Sequence, residues 1–227
     1  LPKSSQFTFG SYSMKLSPQF FRRLDESDDT LFYSQPRITK HVDENASQAI
    51  TEFLRPILPQ NELILDLMSS AYSHFPLTIE PKNVVGLGLN QTELEYNSML
   101  GEFYVQNLNH NPVLPFVDQT FSVVVITVSI QYLIQPTLVF QQINRILKHN
   151  GLLVIFYSNR MFPTKAVAVW HQTNQDQKQD LIDKYFQVAE NEVGRFMPAQ
   201  FLDITPSTQV GTYTDPVYVA MAKKKVH

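Results

Sequence analysis

Two apolar runs, VVVITV at residues 123–128 and LLVIFY at residues 152–157, decide the fold of this chain. The segment LPFVDQTFS leads into the first run, and a helical stretch between the two runs ends at Asn150-Gly151. Short runs rich in Val and Ile are typical of strands that are buried inside a parallel sheet. A strand, a helix and a second strand in this order predict a β–α–β unit.

The same alternation of strands and helices continues on both sides of this unit. We predict strands at residues 63–67, 83–87 and 103–106, and helices at residues 43–54, 69–77 and 91–100. Residues 163–185 have a mostly helical pattern, and a final pair of strands is expected at residues 201–205 and 217–222. This order predicts an α/β protein with a mainly parallel sheet and helices on both faces.

Composition and charge exclude several classes of protein. The 227 residues fit one domain, in which we expect a flexible or lid-like segment at residues 1–30 before the domain itself at residues 31–227. A net charge of −3 gives no electrostatic reason to expect nucleic acid as a partner. The chain has no cysteine and its six histidines lack metal-ligand spacing, so no metal is expected. No apolar run approaches the ~20 residues of a membrane-spanning helix, so stable membrane insertion is not expected either.

Four motifs of the chain are similar to those of known families. The loop LPFVDQTFS and the turn Arg145-Ile-Leu-Lys148-His-Asn-Gly151 resemble the carboxyl-side half of the class I S-adenosylmethionine (SAM) methyltransferase domain, of the type 11-like kind. Asp66-Leu-Met-Ser-Ser70 and the segment SNRMFPTKA at residues 158–166 resemble motifs of a narrower family from cyanobacteria and plastid-bearing organisms. The resemblance covers about residues 31–190.

This resemblance implies a fold, a cofactor and a reaction. The fold would be the Rossmann-like class I methyltransferase fold, with a mainly parallel seven-stranded sheet whose last strand is antiparallel. SAM would be the cofactor and S-adenosylhomocysteine (SAH) the product, with the methyl group passing to a small-molecule acceptor by in-line displacement. The protein would then work in the cytoplasm or, alternatively, in the plastid stroma.

The loop after the first strand is the first candidate cofactor site, because ligands of such sheets bind outside the carboxyl ends of the strands. The class usually carries a glycine-rich D-x-G-x-G-x-G loop here, whereas this chain has Met68, Ser70 and Tyr72 at the glycine positions. The resemblance implies that residues Asp66, Leu67, Met68, Ser69 and Ser70 bind the cofactor. The hydroxyls of the two serines would donate hydrogen bonds to the cofactor at a helix start, where an anionic carboxylate is favoured. Alternatively, one of the serines would serve only as a helix N-cap.

The loops after the second, third and fourth strands supply the other cofactor candidates. Gly88 falls where the class has an acidic residue for the ribose hydroxyls, so that Asn90, a backbone group near Leu89, or water would bind the ribose. Asn107, with Leu108 beside it, would accept a hydrogen bond from the adenine amino group. The alternative for Asn107 is a loop residue that bonds its own backbone.

The remaining candidates surround the reacting methyl group. Ser129 would lie beside the sulfonium. The segment Tyr33-Ser-Gln-Pro-Arg37 resembles an amino-terminal cap in which Arg37 pairs with the methionine carboxylate and Tyr33 contacts the acceptor. Asn159 and Arg160 would face the acceptor as well. For Arg37 the alternative is an exposed residue on an irregular loop.

Two residues are candidates for catalysis. His74 is the first candidate for a general base, because the unperturbed pKa of histidine is near ~6.5. Tyr132 is the second, and it could also offer its ring or its hydroxyl to the substrate. The alternatives are a solvent-facing loop histidine and a half-buried packing tyrosine.

The leading hypothesis is therefore a SAM-dependent methyltransferase. Its first competitor is a catalytically inactive protein of the same fold with a binding or regulatory role, which the missing glycines and the missing ribose carboxylate favour. A dinucleotide-using oxidoreductase is disfavoured because no Gly-x-Gly-x-x-Gly follows the first strand. A nucleic-acid methyltransferase is disfavoured because the chain shows no basic face.

Overall fold

The structure is a computed structural model that describes residues 16–190, 194–207, 209 and 212–225. Across these residues the strands are β1 (Ile64–Ser69), β2 (Val84–Gly88), β3 (Glu102–Val105), β4 (Phe121–Thr127), β5 (Leu147–Tyr157), β6 (Arg195–Phe196), β7 (Gln200–Asp203) and β8 (Tyr218–Lys225). The helices are α1 (Asp29–Phe32), α2 (Glu44–Leu54), α3 (Gln91–Tyr96), α4 (Pro136–Ile146), α5 (Ala168–Gln172) and α6 (Gln175–Val188). No helix among the described residues is long and apolar enough to cross a membrane.

The sheet confirms the predicted fold class. Its strand order is β3-β2-β1-β4-β5-β8, and both β6 and β7 pair with the outer edge of β8. The first five strands run parallel, whereas β8 runs antiparallel to β5. The described residues therefore form eight strands that occupy seven positions across the sheet, because the short β6 and β7 share the last position.

Helices cover both faces of this sheet, as predicted. Successive strand residues point to opposite faces. Val124 of β4 accordingly packs in a core cluster with Phe140 of α4 and Tyr185 of α6, whereas its neighbour Val125 packs with Ile50 of α2. Each of these side chains is at most 1% exposed, so both layers are closely packed and hold the strand ends in fixed positions.

The predicted helix at residues 69–77 is wrong. β1 continues to Ser69, and residues 70–80 contain no helical turn. Hydrogen bonds that involve side chains hold this segment in place. The carboxylate of Asp66 accepts bonds from Ser69 and Ser73, and the amide of Asn97 donates to the carbonyl of Ser70 and the hydroxyl of Ser73. Such side-chain bonds compete with helix formation.

The helix that was predicted to end at Asn150-Gly151 ends at Ile146 instead, and β5 begins at Leu147. Asn150 has a positive φ of 60°, so the Asn-Gly pair forms an irregular point within β5 and not a helix terminus. The predicted helices at 91–100 and 163–185 are shorter or interrupted, since α3 ends at Tyr96 and α5 and α6 are separate.

The described part of the amino-terminal segment packs against the chain that follows β5, while residues 1–15 lie outside the described residues. The ammonium of Lys165, fully buried, donates to the carbonyl of Ser27 at 2.7 Å and forms ion pairs with Asp25 (3.1 Å) and Asp29 (3.3 Å). Asn109, after β3, donates to the other oxygen of Asp29 at 2.8 Å. This buried network holds α1 over the carboxyl end of the sheet.

Candidate functional site

A cavity of about 740 Å³ lies at the carboxyl ends of β1 to β4. Its inner wall comes from the loops after these four strands, including residues 68–70, 88–90, 106–109 and 127–129. Its outer wall comes from the amino-terminal segment and from the residues after β5. A cavity of this size at the switch point of a doubly wound sheet fits a ligand the size of a nucleoside derivative.

The loop after β1 forms the floor of the cavity without its glycines. Met68 has a positive φ of 62°, the conformation that glycine adopts most readily, so the loop keeps a glycine-like backbone. Met68, Ser69 and Ser70 line the cavity as predicted. Asp66 and Leu67 do not line it, because Leu67 is buried in the core and Asp66 lies under the loop. Burial raises the pKa of Asp66 to about 6, and the bonds from Ser69 and Ser73 partly offset this shift.

Gly88 lines the cavity where β1 and β2 approach most closely. The register of β1 shifts between Leu67 and Ser69, which places Ser69 opposite Gly88. A Cβ atom on Gly88 would lie 2.2 Å from the carbonyl oxygen of Ser69, so no side chain fits at this position. The acidic residue that the class places here is therefore sterically excluded in this chain.

Asn90 lines the cavity, but its side chain is already engaged. Its oxygen accepts a bond from the backbone N–H of Glu93 and caps α3, and its amide donates to the carbonyl of Tyr33 at 2.8 Å. The prediction that the Asn90 side chain faces a ribose is therefore not supported by its contacts. Leu89 lines the cavity beside it.

Glu93 is a residue that sequence reasoning missed. It lies in the first turn of α3, is 5% exposed and lines the cavity. Its Oε1 accepts a bond from the backbone N–H of Arg37 at 2.7 Å, and its Oε2 accepts one from the hydroxyl of Ser70 at 2.8 Å. The sequence signal was its position three residues after the N-cap Asn90, which turns it towards the end of β2.

Asn107 and Leu108 line the far end of the cavity, as predicted. The side-chain oxygen of Asn107 accepts a bond from the backbone N–H of Asn109 at 3.0 Å, which is the local loop bond that sequence reasoning gave as the alternative. One lone pair of this oxygen stays free for a ligand donor. Leu108 is buried and gives this end of the cavity an apolar surface.

Arg37 sits in an aromatic box on the outer wall. Its guanidinium carbon lies 4.7 Å from the ring centroid of Phe32, 5.0 Å from that of Phe162 and 5.6 Å from that of Tyr33. Nη2 donates to the carbonyl of Phe32, whereas Nη1 is buried and has no hydrogen-bond partner. Arg37 is thus half-buried and not the exposed loop residue of the alternative interpretation, and it lines the cavity.

Tyr132 and Ser129 form the wall next to β4, as predicted. The Tyr132 oxygen accepts a bond from the backbone N–H of Phe162 at 2.8 Å, and the two rings stack with centroids 5.9 Å apart. Burial raises the pKa of Tyr132, so that its phenol keeps its proton and cannot act as a base near neutral pH. The Ser129 hydroxyl is buried without a partner.

His74 lies outside this cavity, which corrects its prediction as a catalytic base. It borders a second cavity of about 410 Å³, where its Nδ1 is 2.9 Å from the hydroxyl of Ser47. Burial lowers the pKa of His74 to about 4, and the positive charge of Lys40 adds to this shift. The histidine that does line the main cavity is His41, whose Nε2 is 3.4 Å from the hydroxyl of Ser70.

The predicted substrate-side residues are only partly brought together. Tyr33 and Arg160 line the cavity, with Arg160 at 3.7 Å from Asp215, but Asn159 does not. Asn159 is exposed, and its amide points to the hydroxyl of Tyr213 at 3.4 Å. Phe162 also lines the cavity, where it contacts Arg37 and Tyr132.

Comparisons with known proteins agree with this geometry. Residues 68–155 match the family model described as "Methyltransferase domain". A comparison with curated proteins finds no match.

Solved structures share the fold at low sequence identity. A SAM-dependent methyltransferase from Thermotoga maritima, described as a possible histamine N-methyltransferase, is 15% identical, with 80% of this chain and 89% of that chain covered and a TM-score of 0.56. A SAM-dependent methyltransferase from Archaeoglobus fulgidus is 11% identical, with 78% and 94% covered and a TM-score of 0.53. The cyclase SpnF is 13% identical, with 85% and 89% covered and a TM-score of 0.55. The chain therefore has the fold of these SAM-dependent methyltransferases, and residues 68–155, from the end of β1 into β5, match the methyltransferase domain model.

Proposed function

We propose that this protein is a SAM-dependent methyltransferase that transfers a methyl group to a small-molecule acceptor. The observation that carries the proposal is Nη1 of Arg37, a buried nitrogen without a hydrogen-bond partner on a residue that lines the cavity. A buried donor on a cation is costly to leave unpaired, so an anionic group of a ligand is the expected partner. The methionine carboxylate of SAM is such a group, and the family match over residues 68–155 points to SAM as the ligand.

The residues of the cavity fit SAM along its whole length. Arg37 would hold the carboxylate through the planar fork of its guanidinium. The loop at residues 68–70 would pass close to the methionine part, and Leu108 with the free lone pair of Asn107 would hold the adenine. Ser129, whose hydroxyl has no partner, would lie near the sulfonium.

Bound SAM would supply an activated methyl group, and the chain would supply alignment and exclusion of water. Tyr132, Phe162 and Tyr33 form an aromatic wall next to the loop after β4, where the acceptor would be held in line with the breaking S–C bond. The attacking atom would gain the methyl group while the bonding electrons return to sulfur. The phenol of Tyr132 keeps its proton there and would orient the acceptor by donating a hydrogen bond.

Where the acceptor must lose a proton, His41 takes the role that sequence reasoning gave to His74. Burial lowers the pKa of His41, and the charge of Arg37 lowers it further, while Glu93 opposes the shift. The ring is therefore neutral near pH 7 and able to accept a proton. It lies at the cavity wall, 5.7 Å from the ring of Phe162.

The finer parts of the proposal rest on the chain's own motifs and cavity wall. The aromatic wall favours a small acceptor with an apolar or aromatic body over a macromolecule, and Arg160 at the cavity wall would contact its polar end. The motifs at residues 66–70 and 158–166 support membership of the cyanobacterial and plastid family, with the cytoplasm or the stroma as the location.

A catalytically inactive binding or regulatory protein is the second candidate. The loss of the loop glycines and the closed position at Gly88 favour it, since both depart from the usual cofactor loop. SpnF has a similar fold but is described as a [4+2]-cyclase, so the fold does not by itself dictate methyl transfer.

Isothermal titration of the protein with SAM and with SAH tests the proposal. We expect both to bind with micromolar dissociation constants, which correspond to about 8 kcal/mol of binding free energy. Binding of SAM without SAH production across a panel of aromatic acceptors would favour the inactive protein. No heat and no thermal shift at millimolar ligand would rule out both forms of SAM use.

A further inference from the structure

Glu93 is a buried carboxylate whose hydrogen bonds within the protein leave acceptor positions unused. It is 5% exposed and lines the main cavity, yet no Lys or Arg ion pair to it occurs among the described residues. Its partners are two neutral donors, the backbone N–H of Arg37 and the hydroxyl of Ser70, one on each oxygen. A carboxylate has about four acceptor positions, so each oxygen can accept a further bond.

Among the described residues at the end of β2, Glu93 is the acidic side chain that lines the cavity. Gly88 cannot carry a side chain, because a Cβ atom there would lie 2.2 Å from the carbonyl oxygen of Ser69. The side chain of Asn90 is occupied by the cap of α3 and by the carbonyl of Tyr33. Glu93 is thus the acidic side chain that α3 contributes to this part of the cavity.

We infer that Glu93 is the ribose-binding carboxylate of this protein, supplied from the first turn of α3 in place of the residue that Gly88 excludes. The inference rests on the proposed function. The two free lone pairs of Glu93 would accept hydrogen bonds from the 2′- and 3′-hydroxyls of the cofactor. A carboxylate at this place selects a free cis-diol, because it loses a partner with a 2′-deoxyribose and repels a 2′-phosphate.

The position of Glu93 also links the two ends of the cofactor site. Its Oε1 holds the backbone N–H of Arg37, whose guanidinium faces the cavity as the expected partner of the methionine carboxylate. Its Oε2 holds Ser70 of the loop after β1. Glu93 therefore connects Arg37 on the outer wall with Ser70 on the floor, next to the inferred ribose position.

A purely structural Glu93 would produce the same contacts in the free protein, so the test must separate the two roles. Glu93→Gln keeps the size of the side chain, an acceptor for the Arg37 N–H and an amide that can donate to the Ser70 hydroxyl, but removes the charge. Titration of the wild type and of this variant with SAH and with 2′-deoxy-SAH forms a cycle in which the ribose hydroxyl and the carboxylate are removed separately.

We expect the wild type to bind SAH about tenfold or more tightly than 2′-deoxy-SAH. Glu93→Gln should lose about tenfold in SAH affinity and bind the two ligands within about twofold of each other. Glu95→Gln, the same change at an exposed position of α3, should keep the wild-type preference. Circular dichroism and thermal unfolding identify a misfolded variant. In that case Glu93→Asp, which keeps the charge but shortens the side chain, should lose the preference in the same way.

An unchanged preference for SAH in the folded Glu93 variant would overturn this inference, because a structural role lowers the affinity for both ligands by the same factor. A wild type that binds SAH and 2′-deoxy-SAH equally would overturn it as well. Neither result touches the proposed function. A wild type that binds no SAH at all would instead overturn the proposed function, and this inference with it.

Discussion

The main cavity and the second cavity are each lined by a buried serine, a histidine and an arginine. They differ in whether the serine hydroxyl and the arginine nitrogens have partners. In the second cavity, Ser47 bonds His74 at 2.9 Å, and Arg55 pairs with Glu52 at 2.9 Å. In the main cavity, the hydroxyl of Ser129 and Nη1 of Arg37 are buried without partners.

This difference indicates which cavity binds a ligand. A buried donor without a partner costs roughly 1–3 kcal/mol, so a ligand acceptor that pairs with such a donor at a cavity wall would gain binding free energy. The second cavity is complete without a ligand, and its histidine is part of the packing. We therefore expect the ligand to bind in the main cavity, where a substitution should change ligand affinity more than a matched substitution elsewhere.

The largest effect is expected at Arg37. Arg37→Met keeps most of the packing in the aromatic box but removes the partner of the SAH carboxylate. We expect the SAH dissociation constant to rise by about ten- to a hundredfold, the value of one hydrogen bond to a charged group. Arg55→Met in the second cavity, where the arginine is exposed and paired with Glu52, should leave the affinity unchanged. Titration calorimetry measures both, and equal effects at the two sites would remove the distinction between the cavities.

His74 should contribute to the pH dependence of the free energy of unfolding. Its folded-state pKa is lowered from 6.5 to about 4, so the stability it contributes is present above pH 6.5 and is lost as the pH falls towards 4. Asp66 has the opposite sign, because its pKa is raised from 3.8 to about 6 and its contribution is lost as the pH rises through 6.

The two contributions oppose each other between pH 4 and 6.5, and His74→Gln separates them. On going from pH 7 to pH 5, the variant should gain about 2 kcal/mol of unfolding free energy relative to the wild type. Urea unfolding at the two pH values measures this difference. The exposed His171 serves as a control, since His171→Gln should follow the wild type. A His74 variant with the wild-type pH dependence would contradict a buried, uncharged histidine.

The smallest effects come from a pair of serines. Ser47→Ala removes the partner of a buried ring nitrogen, so we expect a loss of about 1 kcal/mol of unfolding free energy and no change in SAH affinity. Ser129→Ala removes a hydroxyl that has no partner in the free protein, so its unfolding free energy should stay within about 0.5 kcal/mol of the wild type. Its SAH affinity should fall by about two- to tenfold. Thermal unfolding with and without SAH measures both. A loss of SAH affinity in Ser47→Ala but not in Ser129→Ala would indicate that the second cavity binds the ligand.

Sequence predicted the sheet well because strand formation depends on local patterns. The apolar runs at 123–128 and 152–157 overlap β4 and β5, and the final pair of predicted strands overlaps β7 and β8. The helix predicted at 69–77 does not form, and the loop found there is held by the carboxylate of Asp66, which accepts from Ser73, and by Asn97, which comes from another part of the chain. No local pattern carries that information.

The candidate site was predicted at the level of loops but less well at the level of side chains. The loops after β1 to β4 do meet in one cavity, as the position of strand ends in such a sheet dictates. The choice between His74 and His41, however, depends on how the amino-terminal segment crosses the sheet. Likewise, the side chain of Asn90 caps α3, and Glu93, to which the sequence analysis assigned no role, lines the cavity.

A crystal structure of the protein grown with SAH tests the central claim most directly. The account predicts SAH in the main cavity, with its carboxylate on Nη1 of Arg37, its ribose at Glu93 and its adenine against Leu108. SAH bound in the second cavity beside His74, or bound while Arg37 stays unpaired, would contradict it.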